Sequence, residues 1–383
     1  MSVTAAQGFR ASGVIAGLKA SGSSDVALVV NDGPSQAAAG VFTSNTVKAA
    51  PVLWSQQVLT AGALRAVVLN SGGANACTGP GGFQDTHATA EYVAELLSCG
   101  AGEVAVCSTG LIGDRLPMDL LLAGVTAANE ALSLAGGVDA AIAIKTTDSV
   151  HKQSVVRRDG WTIGGMAKGA GMLAPGLATM LVVVTTDAVV AASDLDKVLR
   201  TAVTTTFDRI DSDGCMSTND TVLLLASGAS GVRPDASAFV ESLTEICADL
   251  ARQLIGDAEG ATKDIRIDVI NAASEDDAVV AGRAVARSNL LKCAIHGEDP
   301  NWGRVISAAG STTATFDPSA IAVAINDVWV CRDGAPGEDR SLVSMTDREV
   351  AITVDLSAGD HAATFWTNDL TAMYVHENSA YSS

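Results

Sequence analysis

A chain of 383 residues with 48% hydrophobic and 17% charged residues carries enough apolar content for more than one packed core and shows no disordered composition. Its formal net charge of −19, from 43 acidic and 24 basic residues, argues against nucleic-acid and anionic-membrane partners, and any anionic small substrate must be met by locally placed cations. The seven cysteines include no CxxC pair and do not group with the five histidines, which speaks against a zinc site or a disulfide framework and for a reducing compartment. The first residues, MSVTAAQGFRASG, have no charged segment followed by an apolar one, so no secretory signal is expected, and no apolar run reaches membrane-span length. Together these features place the protein in the cytoplasm as an expectation, with no metal and no cofactor.

In chain order, Gly13 to Leu18 and Asp25 to Asn31 read as a hairpin, and Ala66 to Asn70 as a strand running into the Gly/Asn-rich loop SGGANACTGPGG. That loop lacks the glycine spacing of a phosphate cradle and is expected to pack its backbone tightly. Ala88, Tyr92, Val93, Leu96 and Leu97 recur at helical spacing; Val104 to Ser108 is a buried-type strand, and Pro117 opens a helix to about Leu134. Asp159-Gly160 joins the strands Val155 to Arg158 and Trp161 to Met166. A β-branched strand covers Thr179 to Asp187, and Ser193 with Asp196 suggests a capping box for the helix that follows. Phe239 to Ile255 marks one face of a long amphipathic helix. A strand at Ile265 to Val269, a helix from Ser274 to about Ile295 and strands at Ile321, Val328 and Val350 suggest a second, smaller α/β domain. Glu275, Asp276 and Asp277 are expected as charges at a helix N-terminus rather than a metal cluster.

The most informative stretch is GGMAKGAGMLAPGLATMLVVVTTD, from Gly164 to Asp187. It sets a lysine and a glycine-rich loop before a threonine that opens a buried strand. A threonine hydroxyl is a poor nucleophile without a base nearby, and one solution is for the residue to become an N-terminus whose own amine is the base. Taken alone, Thr179 reads as an ordinary strand residue rather than as a nucleophile, given how common such threonines are.

The same stretch resembles the cleavage-site signature of the ornithine acetyltransferases (glutamate N-acetyltransferases), K-G-x-G-M-x-A-P-x-x-A-T-M-L, with every fixed position present from Lys168 to Leu181. Further blocks follow in order along the whole chain: NSGGANACTG from Asn70, STGLIG from Ser108, TTD from Thr146, STNDT from Ser217, EGATK from Glu259, GEDPNWGR from Gly297 and YVHENSAYSS from Tyr374. Two departures stand out: Gly73, where the family pattern has asparagine, and DSDGCM from Asp211 to Met216.

This resemblance implies an enzyme of arginine biosynthesis that cuts itself between Ala178 and Thr179 and uses Thr179 as nucleophile. The acetyl group of N-acetylornithine would pass through an acetyl-threonine ester to glutamate, with acetyl-CoA as a possible second donor. Thr109 and Gly110 match the oxyanion hole. Thr146, Lys168, Thr179, Glu259, Asn378 and Ser383 match substrate contacts, with Lys168 facing the α-carboxylate and Glu259 the side-chain ammonium. The implied fold is a layered α-β-β-α sandwich resembling N-terminal-nucleophile enzymes. Residues 1–178 and 179–383 would be its two chains, 1–260 plus the C-terminal tail its main domain, and 262–360 its smaller one. Two copies of each chain would assemble as a heterotetramer. A self-cleaving aminopeptidase or amidase, and a non-catalytic binding relative, remain as alternatives.

Overall fold

The computed structural model describes residues 2–174 and 180–380. The chain forms two compact units, one from residues up to Asp208 together with Cys215–Leu254, the other from Arg209–Gly214 and the chain from Ile255 onward.

The first unit begins with strands β1 (Phe9–Val14), β2 (Val26–Asn31) and β3 (Ala37–Phe42), helix α1 (Ala50–Val58), strand β4 (Ala66–Ser71), helix α2 (Gly79–Leu97) and strand β5 (Val104–Thr109). Helices α3 (Met118–Glu130) and α4 (Gly137–Ala143) precede the hairpin β6 (Lys152–Arg158) and β7 (Trp161–Lys168). Beyond residue 180 come β8 (Leu181–Thr186), α5 (Ala192–Thr205), β9 (Thr221–Ala226) and α6 (Ala236–Gly256). They build a four-stranded sheet of order β1-β2-β4-β5 and a five-stranded sheet of order β3-β9-β8-β7-β6. Strand β5 runs parallel to β4 and β8 parallel to β9, while the other pairs are antiparallel.

Strands β2, β4, β5, β8 and β9 are buried at every position, so both faces of each sheet are covered and an alternating polar pattern is absent from their sequences. Val67 and Val106 of the first sheet share one core with Leu181, Val183, Leu223 and Leu225 of the second, and Val93 of α2 and Val125 of α3 join it. Residues alternating with these on β8 and β9 face the opposite side of their sheet. There Gly165 of β7 leaves just enough room for Ile246 and Leu250 of α6. Helix, sheet, sheet and helix therefore follow one another, as the layered α/β expectation has it.

The second unit contains β10 (Asp264–Ala272), helices α7 (Glu275–Ala286), α8 (Asn289–His296) and α9 (Trp302–Ala309), strands β11 (Ala322–Ile325), β12 (Val328–Arg332), β13 (Ala335–Pro336), β14 (Glu349–Asp355) and β15 (His361–Asn368), and helix α10 (Ala372–Ala380). Its sheet has the order β13-β12-β11-β14-β10-β15, with β10 parallel to β14. Ile267, Val269, Ile352, Val354 and Phe365 form the centre of a separate core with Val285 of α7.

Several local expectations change. The first strand is β1 at Phe9–Val14, not Gly13 to Leu18, because the amides of Ala16, Leu18 and Lys19 all donate to the buried carboxylate of Asp25, at 2.6, 2.6 and 3.0 Å, and leave the ladder. The capping box at Ser193 does not form: α5 starts two residues earlier, behind Ala191, and Asp196 pairs with Arg200 one turn on. Pro117 is the residue before α3 rather than its first member. The expected helix from Ser274 to Ile295 is two helices, since Ser288 caps α8 by accepting the amide of Leu291. The acidic triplet does open α7, where Ser274 accepts the amide of Asp277.

Candidate active site

Strand β5 delivers Thr109 to the edge of the first sheet, paired in register with Ser71 at the end of β4. The carbonyl of Thr109 accepts the amides of Gly72 at 2.9 Å and Gly73 at 3.0 Å. Because the peptide is planar and trans, the N–H of Gly110 points away from those two amides. Gly110 has φ +132°, and a Cβ there would meet the nitrogen of Gly73 at 2.6 Å, so only glycine fits. The Gly/Asn-rich loop thus packs against the Thr109–Gly110 peptide and holds its direction. Gly73 itself, the departure from the family pattern, carries one of the two amides that do so.

Lys168 ends β7, opposite Leu181 at the start of β8. Its side chain is buried, and Nζ donates to Oγ1 of Thr109 at 3.1 Å. A buried ammonium is tolerated only among acceptors and anions. One carboxylate acting on it is that of Asp148, whose Oδ1 accepts Nζ of Lys152 at 2.7 Å and the amide of Gly169 at 2.6 Å, while Oδ2 accepts the amide of Thr146 at 3.0 Å. Burial pushes the Asp148 carboxyl up, but the Lys168 and Lys152 ammoniums and the Gly169 amide outweigh it and bring it down to about 2. Lys19 lies nearby, donating to the carbonyls of Lys145 at 2.6 Å and Ser24 at 2.9 Å, and its ammonium is lowered to about 8, by burial first and by Lys168 among its charged neighbours.

Residues 175–179 lie outside the described residues, and with them the expected nucleophile Thr179 and the cleavage residue Ala178; so does Ser383. The residue after Thr179 is anchored: the amide of Met180 donates to Oδ1 of Asp220 at 3.0 Å, and its carbonyl accepts the amide of Thr221 at 3.1 Å. Asp220 is fully buried, its Oδ2 has no hydrogen-bond partner, and burial raises its carboxyl well above the usual range. Next to it, Asn219 donates to the carbonyls of Ala74 at 2.6 Å and Ser108 at 2.8 Å, tying the STNDT segment to the strand that carries Thr109.

In the second unit, Glu259 is buried behind α6 and accepts Nδ2 of Asn378, on α10, at 2.9 Å. Gly260, at φ +64°, would place a Cβ 2.3 Å from the nitrogen of Tyr374, and its carbonyl accepts Oγ1 of Thr371 at 2.7 Å. Asp369 holds the same loop through the amides of Thr262 at 2.8 Å and Lys263 at 2.9 Å. Asn378 therefore stands on a helix and not in a frayed tail.

Thr109, Gly110, Thr146 and Lys168 thus form one connected group in the first unit, and Glu259 with Asn378 another in the second. Sequence reading singled out neither Asp148, Asp220 nor Lys152. The first two sit inside the TTD and STNDT blocks, which was the available signal; Lys152 begins an alternating strand and looks solvated. Among the described residues no three His, Cys, Asp or Glu side chains gather as a metal site, and no helix is long and apolar enough to cross a membrane.

A layered α/β fold that brings a hydroxyl, a fixed peptide N–H and a buried ammonium to adjoining strand ends has the donors that an enzyme of acyl chemistry needs. The ArgJ family model matches residues 10–383. The arginine biosynthesis bifunctional protein ArgJ of Streptomyces coelicolor is 71% identical over 383 residues, covering 100% of both chains. The protein of the same description from Mycobacterium leprae is 59% identical, over 100% of this chain and 96% of its own. A solved structure of ornithine acetyltransferase complexed with ornithine, from Mycobacterium tuberculosis, is 65% identical over 47% of this chain and 96% of its own, with a TM-score of 0.45. The chain belongs to the ArgJ family and is an enzyme of arginine biosynthesis.

Proposed function

We propose that this enzyme moves the acetyl group of N2-acetyl-L-ornithine to L-glutamate through an acetyl ester on Thr179, after cutting its own chain between Ala178 and Thr179. The freed α-amine of Thr179 takes the proton of its hydroxyl, the oxygen attacks the acetyl carbonyl, and the oxyanion collapses as the same proton passes to the ornithine nitrogen, which leaves as the amine. Glutamate then enters, and its amine takes the acetyl group in the reverse sense, so the kinetics are ping-pong and no cofactor is consumed.

The observation that supports this reading most is the contact of Lys168 Nζ with Thr109 Oγ1. An ammonium only donates, so the hydroxyl oxygen of Thr109 is its acceptor and the hydroxyl proton is left for another partner. With the outward N–H of Gly110 this makes a donor pair of the kind that stabilises a tetrahedral oxyanion. The ammonium of Lys168 can at the same time meet a substrate α-carboxylate, and Thr146 lies on the same hydrogen-bonded frame. Glu259, held by Asn378, is the proposed partner of the ornithine side-chain ammonium, and Ser383 a further contact. The cytoplasm and an assembly of two of each chain complete the proposal. The relatives' shared description as bifunctional supports a second activity, here proposed as acetyl transfer from acetyl-CoA to glutamate, read as glutamate-dependent release of the free thiol.

The test compares wild type with Thr179→Ala on a denaturing gel with intact-mass analysis. Cleavage after residue 178 in the wild type and one intact chain in the variant are expected. An intact chain in both would overturn the mechanism. Acetate release that ignores glutamate would instead mark a hydrolase.

A further inference from the structure

We infer that Asp148 is a positioning residue for the acetyl transfer: its carboxylate binds the loop carrying Thr146 to the strand end carrying Lys168 and so sets the substrate-carboxylate site. The inference rests on the reading that Thr146 and Lys168 contact substrate.

Each oxygen of Asp148 has a separate task. Oδ1 lies on the β6–β7 hairpin, where it accepts Nζ of Lys152, the first residue of β6, and the amide of Gly169, the residue after β7. Lys152 pairs in register with Ala167, so both donors belong to the same end of the hairpin. Oδ2 reaches the loop after α4 and accepts the amide of Thr146. One side chain therefore ties together two segments that are also joined by the turn from Thr146 to His151 and by the packing of α4 against β6 and β7. Gly169, whose amide meets the carboxylate, has φ +152°, which sets the direction the chain takes beyond it.

The alternative assignment is purely structural, a buried Asp148–Lys152 pair with both side chains fully enclosed. Such a pair is weak grounds for stability, since an apolar pair of the same volume often does as well. What an apolar pair lacks is a fixed negative charge whose field also reaches a second buried ammonium, that of Lys168. Lys19, whose Nζ donates to the carbonyls of Lys145 and Ser24, also feels the same carboxylate, after that of Asp25. Three lysines thus share the field of one anion, Lys152 bonded to it directly and Lys168 bonded to Thr109.

A double-mutant cycle separates the two roles. Asp148→Asn with Lys152→Met removes the pair without stranding a cation, and is compared with Lys152→Met alone, in backgrounds with Lys168 and with Lys168→Met. Steady-state transfer from N-acetylornithine to glutamate gives kcat and KM for both substrates, with Tm as the folding control. With Lys168 present, kcat/KM should fall by about tenfold or more, chiefly through KM, with Tm little changed; with Lys168→Met the same change should cost less than about twofold. Equal losses in both backgrounds, or no loss in either, would overturn the inference. Wild-type kcat/KM in Lys168→Met alone would instead sink the substrate-contact reading. Should the Asn/Met variant not fold, Asp148→Glu keeps the charge but moves it by one methylene, and wild-type KM there overturns the inference; failure of both to fold assigns Asp148 to the fold alone and does the same.

Discussion

Replacing Thr109 by valine removes one oxygen from the proposed oxyanion site and almost nothing else. Valine has the shape of threonine and the same strand preference, and the carbonyl of residue 109 keeps the amides of Gly72 and Gly73. Two consequences can be sized separately. Loss of a preorganised donor to the tetrahedral oxyanion typically lowers kcat by ~10²–10³. Loss of the acceptor for Lys168 Nζ leaves a buried donor with one partner fewer, a cost of about 1–3 kcal/mol in stability. Lys168 has further interactions, which places the cost at the lower end, a Tm change of a few degrees. The assay is acetyl exchange from N-acetylornithine to glutamate, beside Thr109→Ser, which restores the hydroxyl. We expect the serine variant within about tenfold of wild type and the valine variant ~10²–10³ slower in kcat, with little change in either KM. A valine enzyme within about threefold of wild type would refute the donor role of Thr109, because the one atom assigned to the chemistry would have been removed without effect.

Asp148 titrates about 2 in the folded state against an ordinary 3.8; a depressed carboxyl gives stability that is present above pH 4 and lost as pH falls from about 4 to 2, worth on the order of 2 kcal/mol, so acid unfolding of Asp148→Asn/Lys152→Met should be flatter over that window. Asp220 has the opposite sign: its raised carboxyl costs stability as pH climbs above the unfolded value of 3.8, so Asp220→Asn should gain in relative Tm as pH rises from about 4, and a difference constant with pH would contradict it. Gly260→Ala should destabilise by about 1–3 kcal/mol in chemical denaturation, because its φ of +64° and the nitrogen of Tyr374 at 2.3 Å leave no place for a Cβ. Glu259→Gln should raise KM for N-acetylornithine more than for glutamate; equal changes would remove Glu259 from recognition of the ammonium.

The strands that build the two sheets of the first unit were legible where β-branched runs were long, as at β2, β4, β5 and β8. Strand β3, AAAGVF, was not, since small residues carry little strand preference and its place follows from pairing with β9, far away in sequence. The shift of β1 had a cause that periodicity cannot carry, a carboxylate six to nine residues away taking the amides of Ala16, Leu18 and Lys19. The site divides in the same way. Lys168, Thr109 and Gly110 came from ordered blocks, and the structure adds that two of them touch. Asp148 and Lys152 were hidden because a charged residue near an alternating strand ordinarily faces water, and only tertiary burial shows that these two do not.

The order β3-β9-β8-β7-β6 has a consequence for any break within residues 175–179. The middle strands β8 and β9 come from the chain after that segment, while both flanks, β3 on one side and β7 with β6 on the other, come from before it. The two pieces would be interleaved like the fingers of clasped hands, with six registered pairs on each side. Neither piece could leave without tearing two ladders in the buried middle of a sheet. A nicked molecule should therefore behave as a single particle in native buffer and come apart only in denaturant, and each half made alone would lack the neighbours its strands require.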